Sequence, residues 1–475
     1  MSSLAHDAAG LGNVNPSIRS NVALRFTDAT NVVEIIRIFM LLFVVYLSIF
    51  ATIKRIQSLR VETNMHVDSL AGVDKAVRRN TTTLIRSADD SFRAAQMAGL
   101  LNVPAYPGEG RSVELHSATD PGRKIVDFVR CSYLGLDNHP LIVAGAIGAL
   151  ERYGNLHWSC ARTRLNFQIA CELEEALSAL FAARVIVYSS VLAANMGALP
   201  LLASGHLTDG EKPVVVFDRL AHATLAFHKA TVALEAEVLT IGHNDIEALE
   251  RVCQTGKKVA YVCDGVYSMG GAAPMRKLQD LQNRYGLFLY IDDAHGISIF
   301  GDRGEGFARS QISGPLGNRT IVAASLGKGF GASGGMLMLG TERQEELFRR
   351  FAIAHAFSAS PNVAALGAAL ASASLHDSLE LASRQQDLGE KLALFDAIAP
   401  TEHRGTRLPI RTITIGEHID AIASARMLLD MGFYTSVIFF PTVARGKAGI
   451  RVCPTAGHTV EEVSALAKAV STLHT

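Results

Sequence analysis

The sequence predicts an α/β protein: a large domain on a mostly parallel sheet, a smaller α+β C-terminal domain, and an apolar helix near the N-terminus. Three observations carry this. Short β-branched runs alternate with helix-length stretches from about Gly110 onward, the pattern changes after about Ala399, and one long uncharged run lies close to the start.

The runs are Arg184–Tyr188 (RVIVY), Pro213–Phe217 (PVVVF), Val259–Cys263 (VAYVC), Leu287–Ile291 (LFLYI) and Thr320–Ala324 (TIVAA). Near-continuous apolar strands of this kind suit a sheet covered on both faces. Farther on, Leu408–Thr414, Phe433–Phe439 and Gly449–Cys453 read as strands, and Thr459 with Glu462 forms a capping box that opens a last helix. The expected divisions are a polar segment (1–30), a membrane helix (31–56), a juxtamembrane connector and arm (57–110), a large domain (111–398) and a small domain (399–475). No internal repeat is present.

Apolar residues make up 49% of the 475, enough for one enzyme-sized core. Lys plus Arg and Asp plus Glu each total 45, so the net charge is zero and nothing in the composition points to nucleic acid. Cys131, Cys160, Cys171, Cys253, Cys263 and Cys453 form no CxxC pair, and neither disulfides nor a bound metal are expected. The run Ile38–Ile53 lacks any charge and is bracketed by Arg37 and by Lys54 and Arg55. It reads as a membrane-spanning helix whose flanking cations snorkel, with the following positive charges placing the catalytic domain on the cytoplasmic side.

In open α/β sheets ligands bind beyond the carboxyl ends of the strands. LFLYI is followed by Asp292-Asp293-Ala294-His295, and TIVAA by Ser325-Leu326-Gly327-Lys328; PVVVF leads to His222 and VAYVC to Ser268. A lysine in such a cleft loses charge by desolvation and forms a Schiff base with an aldehyde cofactor, while a carboxylate keeps a pyridine nitrogen protonated. Lys328 and Asp292 suit those two tasks. His222 is placed to stack on the ring, and His295 to bond its phenolic oxygen. The turn after RVIVY, at Ser190, Val191 and Leu192, opens a helix whose N–H groups suit a phosphate, and Ser325 adds a hydroxyl. Each residue alone has a structural explanation; their order along successive strand ends is what singles them out.

The ordered set resembles the α-oxoamine synthases, a pyridoxal-phosphate (PLP) family of fold type I. The resemblance runs from Tyr133-Leu134-Gly135-Leu136 through the Asp218–His222, Asp264–Gly271, Asp292–Gly296 and Ser325–Gly335 segments to Pro441-Thr442-Val443 and Ile450-Arg451. It implies that Lys328 carries PLP, Asp292 faces the pyridine nitrogen, His295 and Ser268 lie near the ring hydroxyl and His222 stacks. It further implies that Ser325 touches the phosphate, and that Ser358, in Phe357-Ser358-Ala359-Ser360-Pro361, reaches the phosphate of a neighbouring subunit in a homodimer with shared sites. The implied reaction joins an amino acid to an acyl thioester, presented by coenzyme A or a carrier protein, with loss of thiol and carbon dioxide. The apolar N-terminal run favours a long-chain acyl group and a serine-palmitoyltransferase-like condensation.

The sequence departs from that pattern near the substrate. Phe439 stands where the family has an arginine before its Pro-Thr motif, Cys131 where it has an asparagine, and Val191 where it has a glycine. A replacement cation for the amino-acid carboxylate is expected among Arg162, Arg164, Arg445 and Arg451, with Arg162 and Arg164 the more informative pair because the family has small residues there. The competing readings are an aminotransferase or lyase on the same cofactor, and a catalytically silent membrane-associated subunit.

Overall fold

The computed structural model describes residues 73–75 and 81–474, apart from 109–110, 121 and 159–160. Its centre is an eight-stranded sheet in the spatial order Val73–Lys75, Val238–Ile241, Val214–Asp218, Val259–Asp264, Phe288–Asp292, Thr320–Ser325, Gly335–Leu339 and Arg184–Tyr188. The second to sixth strands run parallel to one another. Val73–Lys75 and Gly335–Leu339 run antiparallel to their neighbours, so the sheet is mixed. All five sequence-predicted strands lie in it. Val73–Lys75, Val238–Ile241 and Gly335–Leu339 were not anticipated.

Strand alternation sends Val185, Val187, Val214, Val216, Leu289 and Ile291 into one apolar layer, and Ile186, Tyr188, Val215, Phe217, Phe288 and Tyr290 into the other. Both faces are therefore dry, as continuous apolar runs require. On one side the Pro140–Tyr153 and Val363–His376 helices cross at glycines: a Cβ on Gly367 would collide with the Gly145 carbonyl oxygen.

The C-terminal part holds an antiparallel sheet of Arg411–Gly416, Ala448–Val452 and Ser436–Ile438. A second sheet joins distant chain: Phe433–Tyr434 pairs in parallel with Lys124–Asp127, which continues to Glu114–Ser117 and Ala105–Pro107. Ala95, Leu100, Ile125 and Phe128 accordingly share one core with Phe395, Ile413, Ile422 and Leu466. The capping box at Thr459 and Glu462 is formed.

The expectation of a membrane-anchored chain is corrected. No helix among the described residues is long and apolar enough to cross a membrane. The 20-residue Leu379–Ile398 helix, for example, interleaves buried Leu381, Leu388 and Leu392 with charged residues, as a helix lying on a protein core does. The Ile38–Ile53 run on which the expectation rested lies outside the described residues.

Two predictions follow from the packing. Gly367→Val should lower the melting temperature by several degrees, a cost of about 1–3 kcal/mol for overpacking, whereas Gly148→Ala on the open side of the crossing helix should not; a thermal scan of both variants checks this. His376 and His458 are buried, and burial pushes each imidazole down to about 4. The unfolded chain binds those protons near the ordinary value of about 6.5, so stability is full above that pH and falls as pH drops toward 4. Melting temperatures measured across that window should decline, and His458→Gln should flatten the decline.

Candidate active site

The parallel strands end on one edge of the sheet, and the polar residues that terminate them meet there. Asp264 and Asp292 are directly paired across neighbouring strands, both nearly fully buried. Asp292 is held from two sides: Ala294 N donates to Oδ1 at 3.1 Å and Asn195 Nδ2 donates to Oδ2 at 3.1 Å. Asn195 is oriented in turn by Tyr290 Oη, which donates to its Oδ1 at 2.7 Å. Asp264 accepts the His222 N–H at 3.0 Å, and burial followed by repulsion from Asp292 holds its carboxyl well above the usual range. Asp292, bonded through both of its oxygens, is the member of the pair held so that it can face a cationic ring nitrogen. Adjacent Asp293 turns away, accepting the Ala308 N–H at 2.9 Å, and serves the fold.

Lys328 follows the neighbouring strand. Its Nζ lies 2.8 Å from His295 Nε2, and His295 Nδ1 lies 2.6 Å from Tyr133 Oη. Burial pushes the Lys328 ammonium below its ordinary value, against the pull of Cys131 and Asp292. Burial, with Lys328 next in importance, pushes His295 well below the imidazole range. A neutral imidazole flanked by a phenol and an amine can accept from one and donate to the other. His222 caps the Ala223–Ala226 turn and bonds Thr224 Oγ1 at 2.9 Å through Nδ1, so its ring orientation is pinned.

Strand register assembles the phosphate turn. Ser325 pairs with Gly335 and Gly335 with Tyr188, so the ends of three strands stand side by side. Any Cβ on Gly335 would collide with the backbone of Ser190 and Val191, which is why the chain can cross there only with glycine. Ser190 caps the Val191–Ala203 helix, its Oγ accepting from Ala193 N at 3.2 Å, and the first N–H groups of Val191 and Leu192 remain at the helix start. Ser325 Oγ accepts from Gly327 N at 3.2 Å beside them. A helix N-terminus, a buried amine, a carboxylate and an imidazole are the partners that the phosphate, aldehyde, pyridine nitrogen and phenolic oxygen of PLP require.

The arginines separate clearly. Arg451 is nearly buried, donates from Nε to Ser268 O at 2.7 Å and from Nη2 to Cys131 Sγ at 3.5 Å. Its charge acts on Lys328, His295 and His222 alike, which places it in the same cluster. Arg162 is instead turned into the protein, paired with buried Glu174 at 2.7 Å and bonded to Asn166 Oδ1 at 3.0 Å. Arg164 is exposed, and Arg445 lies over the Phe440 ring and donates to Ser87 O. Phe439 belongs to the C-terminal core, edge-on to Phe92 at 5.1 Å. Ser358 is half-buried beside exposed Phe357, with no described bond to the Lys328 cluster.

Sequence reasoning missed Tyr133, Asn195 and Asp264 as working parts of the site. Asn195 could have been found: it is the one strongly polar side chain within VLAANMGALPLLA, and a lone amide on an apolar helix must find buried partners.

The chain resembles known proteins over most of its length. Residues 133–470 match the family model for aminotransferase class I and II. The 8-amino-7-oxononanoate synthase of Geobacter sulfurreducens is 33% identical over 346 residues, 71% of this chain and 85% of that protein. The enzyme of the same name from Geobacter metallireducens is 30% identical over 77% of this chain and 93% of its own. Among solved structures, a serine palmitoyltransferase from S. paucimobilis with a bound PLP–myriocin aldimine shares the fold at a TM-score of 0.70 and 21% identity, covering 82% of this chain and 98% of that one. On the matched motifs and this likeness, the chain belongs to the α-oxoamine synthases, PLP-dependent C-acyltransferases of fold type I.

Proposed function

We propose that the site condenses a small α-amino acid with an acyl thioester, releasing the thiol and carbon dioxide and leaving an α-amino ketone. The observation that carries this is the hydrogen-bonded line Lys328–His295–Tyr133, with the Arg451 guanidinium at its side. PLP, bound by Lys328, Asp292, His222 and the phosphate turn, supplies the electron sink for a carbon that has lost its proton. Arg451 receives the amino-acid carboxylate, as the one arginine of the four candidates that belongs to the Lys328 cluster. Lys328, its charge weakened by burial, takes the proton from the α-carbon and returns one later. Neutral His295, set by Tyr133, accepts from the lysine and fixes its direction. Dry apolar layers on both sheet faces strengthen every one of these contacts.

The relatives' product name constrains the acyl group. An 8-amino-7-oxononanoate has nine carbons; decarboxylative condensation builds it from a seven-carbon acyl group ending in a carboxylate and an amino acid with a methyl side chain. We take that pair as the first substrates to test. A long-chain thioester, expected from the N-terminal apolar run, with L-serine enters the same assay as the alternative. The homodimer is supported by the exposed apolar side chains of Leu192 in the phosphate turn and Phe357 next to Ser358.

Thiol release measured across glycine, L-alanine and L-serine, paired with short ω-carboxy and long-chain thioesters, should show one preferred pair; no release from any pair sinks the proposal in favour of an aminotransferase or lyase. Lys328→Ala should reduce release at least about 10³-fold, and borohydride should no longer fix cofactor mass on the peptide containing position 328. Arg451→Ala should raise the amino-acid KM by about 30- to 100-fold with a smaller change in kcat. Arg162→Ala should instead cost about 3 kcal/mol of stability, because buried Glu174 loses a partner, and leave KM nearly unchanged.

A further inference from the structure

Behind the Lys328–His295 contact lies a buried polar cluster that the condensation does not use. Ser298 stands three residues after His295, is fully buried and holds φ at 72°, in the left-handed region where a side chain strains the backbone. Its hydroxyl oxygen lies 2.8 Å from His376 Nε2. His376 Nδ1 lies 2.8 Å from the Ser372 carbonyl oxygen, which can only accept. Nδ1 therefore carries the imidazole proton, and Nε2 accepts from the Ser298 hydroxyl. Burial pushes this imidazole down to about 4 and so keeps it neutral. One turn earlier on the same helix, the Ser372 hydroxyl donates to Phe330 O at 2.6 Å, and the Phe330 ring stacks on His376 at 4.4 Å. Phe330 stands two residues after Lys328.

We propose that His376 and Ser372, on the Val363–His376 helix, are positioning residues that clamp the His295–Ser298 segment to the Lys328–Phe330 segment and so set the Lys328–His295 contact from behind. The two segments already touch: a Cβ on Gly329 would lie 2.8 Å from Ile297 O and 3.3 Å from Ser298 Cβ. Ser298 is also held through its carbonyl oxygen, which accepts from Gln385 Nε2 at 2.8 Å. Its backbone therefore cannot relax to negative φ without giving up bonds on two sides. Strain at a buried residue persists only where its surroundings over-determine it, and it gathers beside reacting groups. Glycine would take the same φ without strain, so what the serine adds is the hydroxyl that His376 receives. A small displacement of either segment would spoil the direction of the Lys328 amine, and such displacements are costly in rate. The clamp stands on geometry alone; its effect on the reaction rests on the proposed function.

The test mixes the full-length, PLP-loaded protein rapidly with L-alanine or L-serine and follows the cofactor absorbance as the amino acid displaces Lys328. Ser298→Gly keeps the backbone conformation and removes the hydroxyl; Ser372→Ala frees Phe330 O. Each should slow the absorbance change about five- to tenfold, with the half-saturating amino-acid concentration within about twofold of the wild type. In a His295→Ala background neither substitution should slow it by more than about twofold further, because the contact they set is gone. Rates within about twofold of the wild type in both variants, or equal slowing with and without His295, overturn the proposal. A lower melting temperature with an unchanged rate marks a purely structural cluster and overturns it too. If Ser372→Ala or His295→Ala does not fold, the rate and half-saturation of Ser298→Gly decide alone. The amino-acid step precedes the thioester, so absent thiol release sinks the proposed condensation and leaves this readout intact. Protein without cofactor absorbance counts against the proposed function; acetylation of Lys328 by acetic anhydride, mapped by peptide mass, then judges the clamp. A rate altered about fivefold in Ser298→Gly upholds it, and an equal rate overturns it.

Discussion

The contact between Lys328 Nζ and His295 Nε2 organises the molecule around it, because an amine is useful to this chemistry only where water does not keep it charged. The apolar strands supply that dryness. Tyr133 then settles the second nitrogen of the imidazole, so the amine meets a neutral partner in a fixed direction. The strands remove solvent from this contact, and Tyr133 orients one member of it.

Register does the rest of the positioning. Asp264 faces Asp292, and Ser325 faces Gly335, which faces Tyr188. In a sheet buried on both faces a slip of one residue would exchange the two layers, sending Tyr290 and Phe217 to the wrong side and Asp292 away from the cleft. Hydrophobic patterning and catalytic geometry are therefore one constraint. The paired carboxyls also differ through their neighbours: burial and Asp292 push the Asp264 carboxyl up, while Asn195 fixes the direction of Asp292.

The large domain was legible because its strands are continuous β-branched runs and its chemistry sits immediately after them. Lys328, Asp292, His295 and His222 were readable for that reason. The short strands were not: Val238–Ile241 is β-branched but only four residues long, too short for a pattern to stand out, and Gly335–Leu339 begins with glycine and holds no β-branched residue. The arginines misled because sequence proximity to a motif says nothing about direction. Arg162, which looked free for substrate, is consumed by Glu174, a partner visible only once the helix that bears it is placed. Phe439 marks no vacancy in the pocket, since its ring fills the C-terminal core against Phe92. The membrane expectation rested on one run and a general argument about exposed apolar surface.

The pairing of Lys124–Asp127 with Phe433–Tyr434 has a consequence for how the polypeptide reaches its native state. During synthesis the early strand leaves the ribosome long before its partner exists, and the central sheet has all its strands while that edge still waits. The central sheet and its helices can therefore condense before the C-terminal body closes, since that closure joins segments about 300 residues apart. Cys131 and Arg451 meet only across that closure, so their contact waits for the last-made strand.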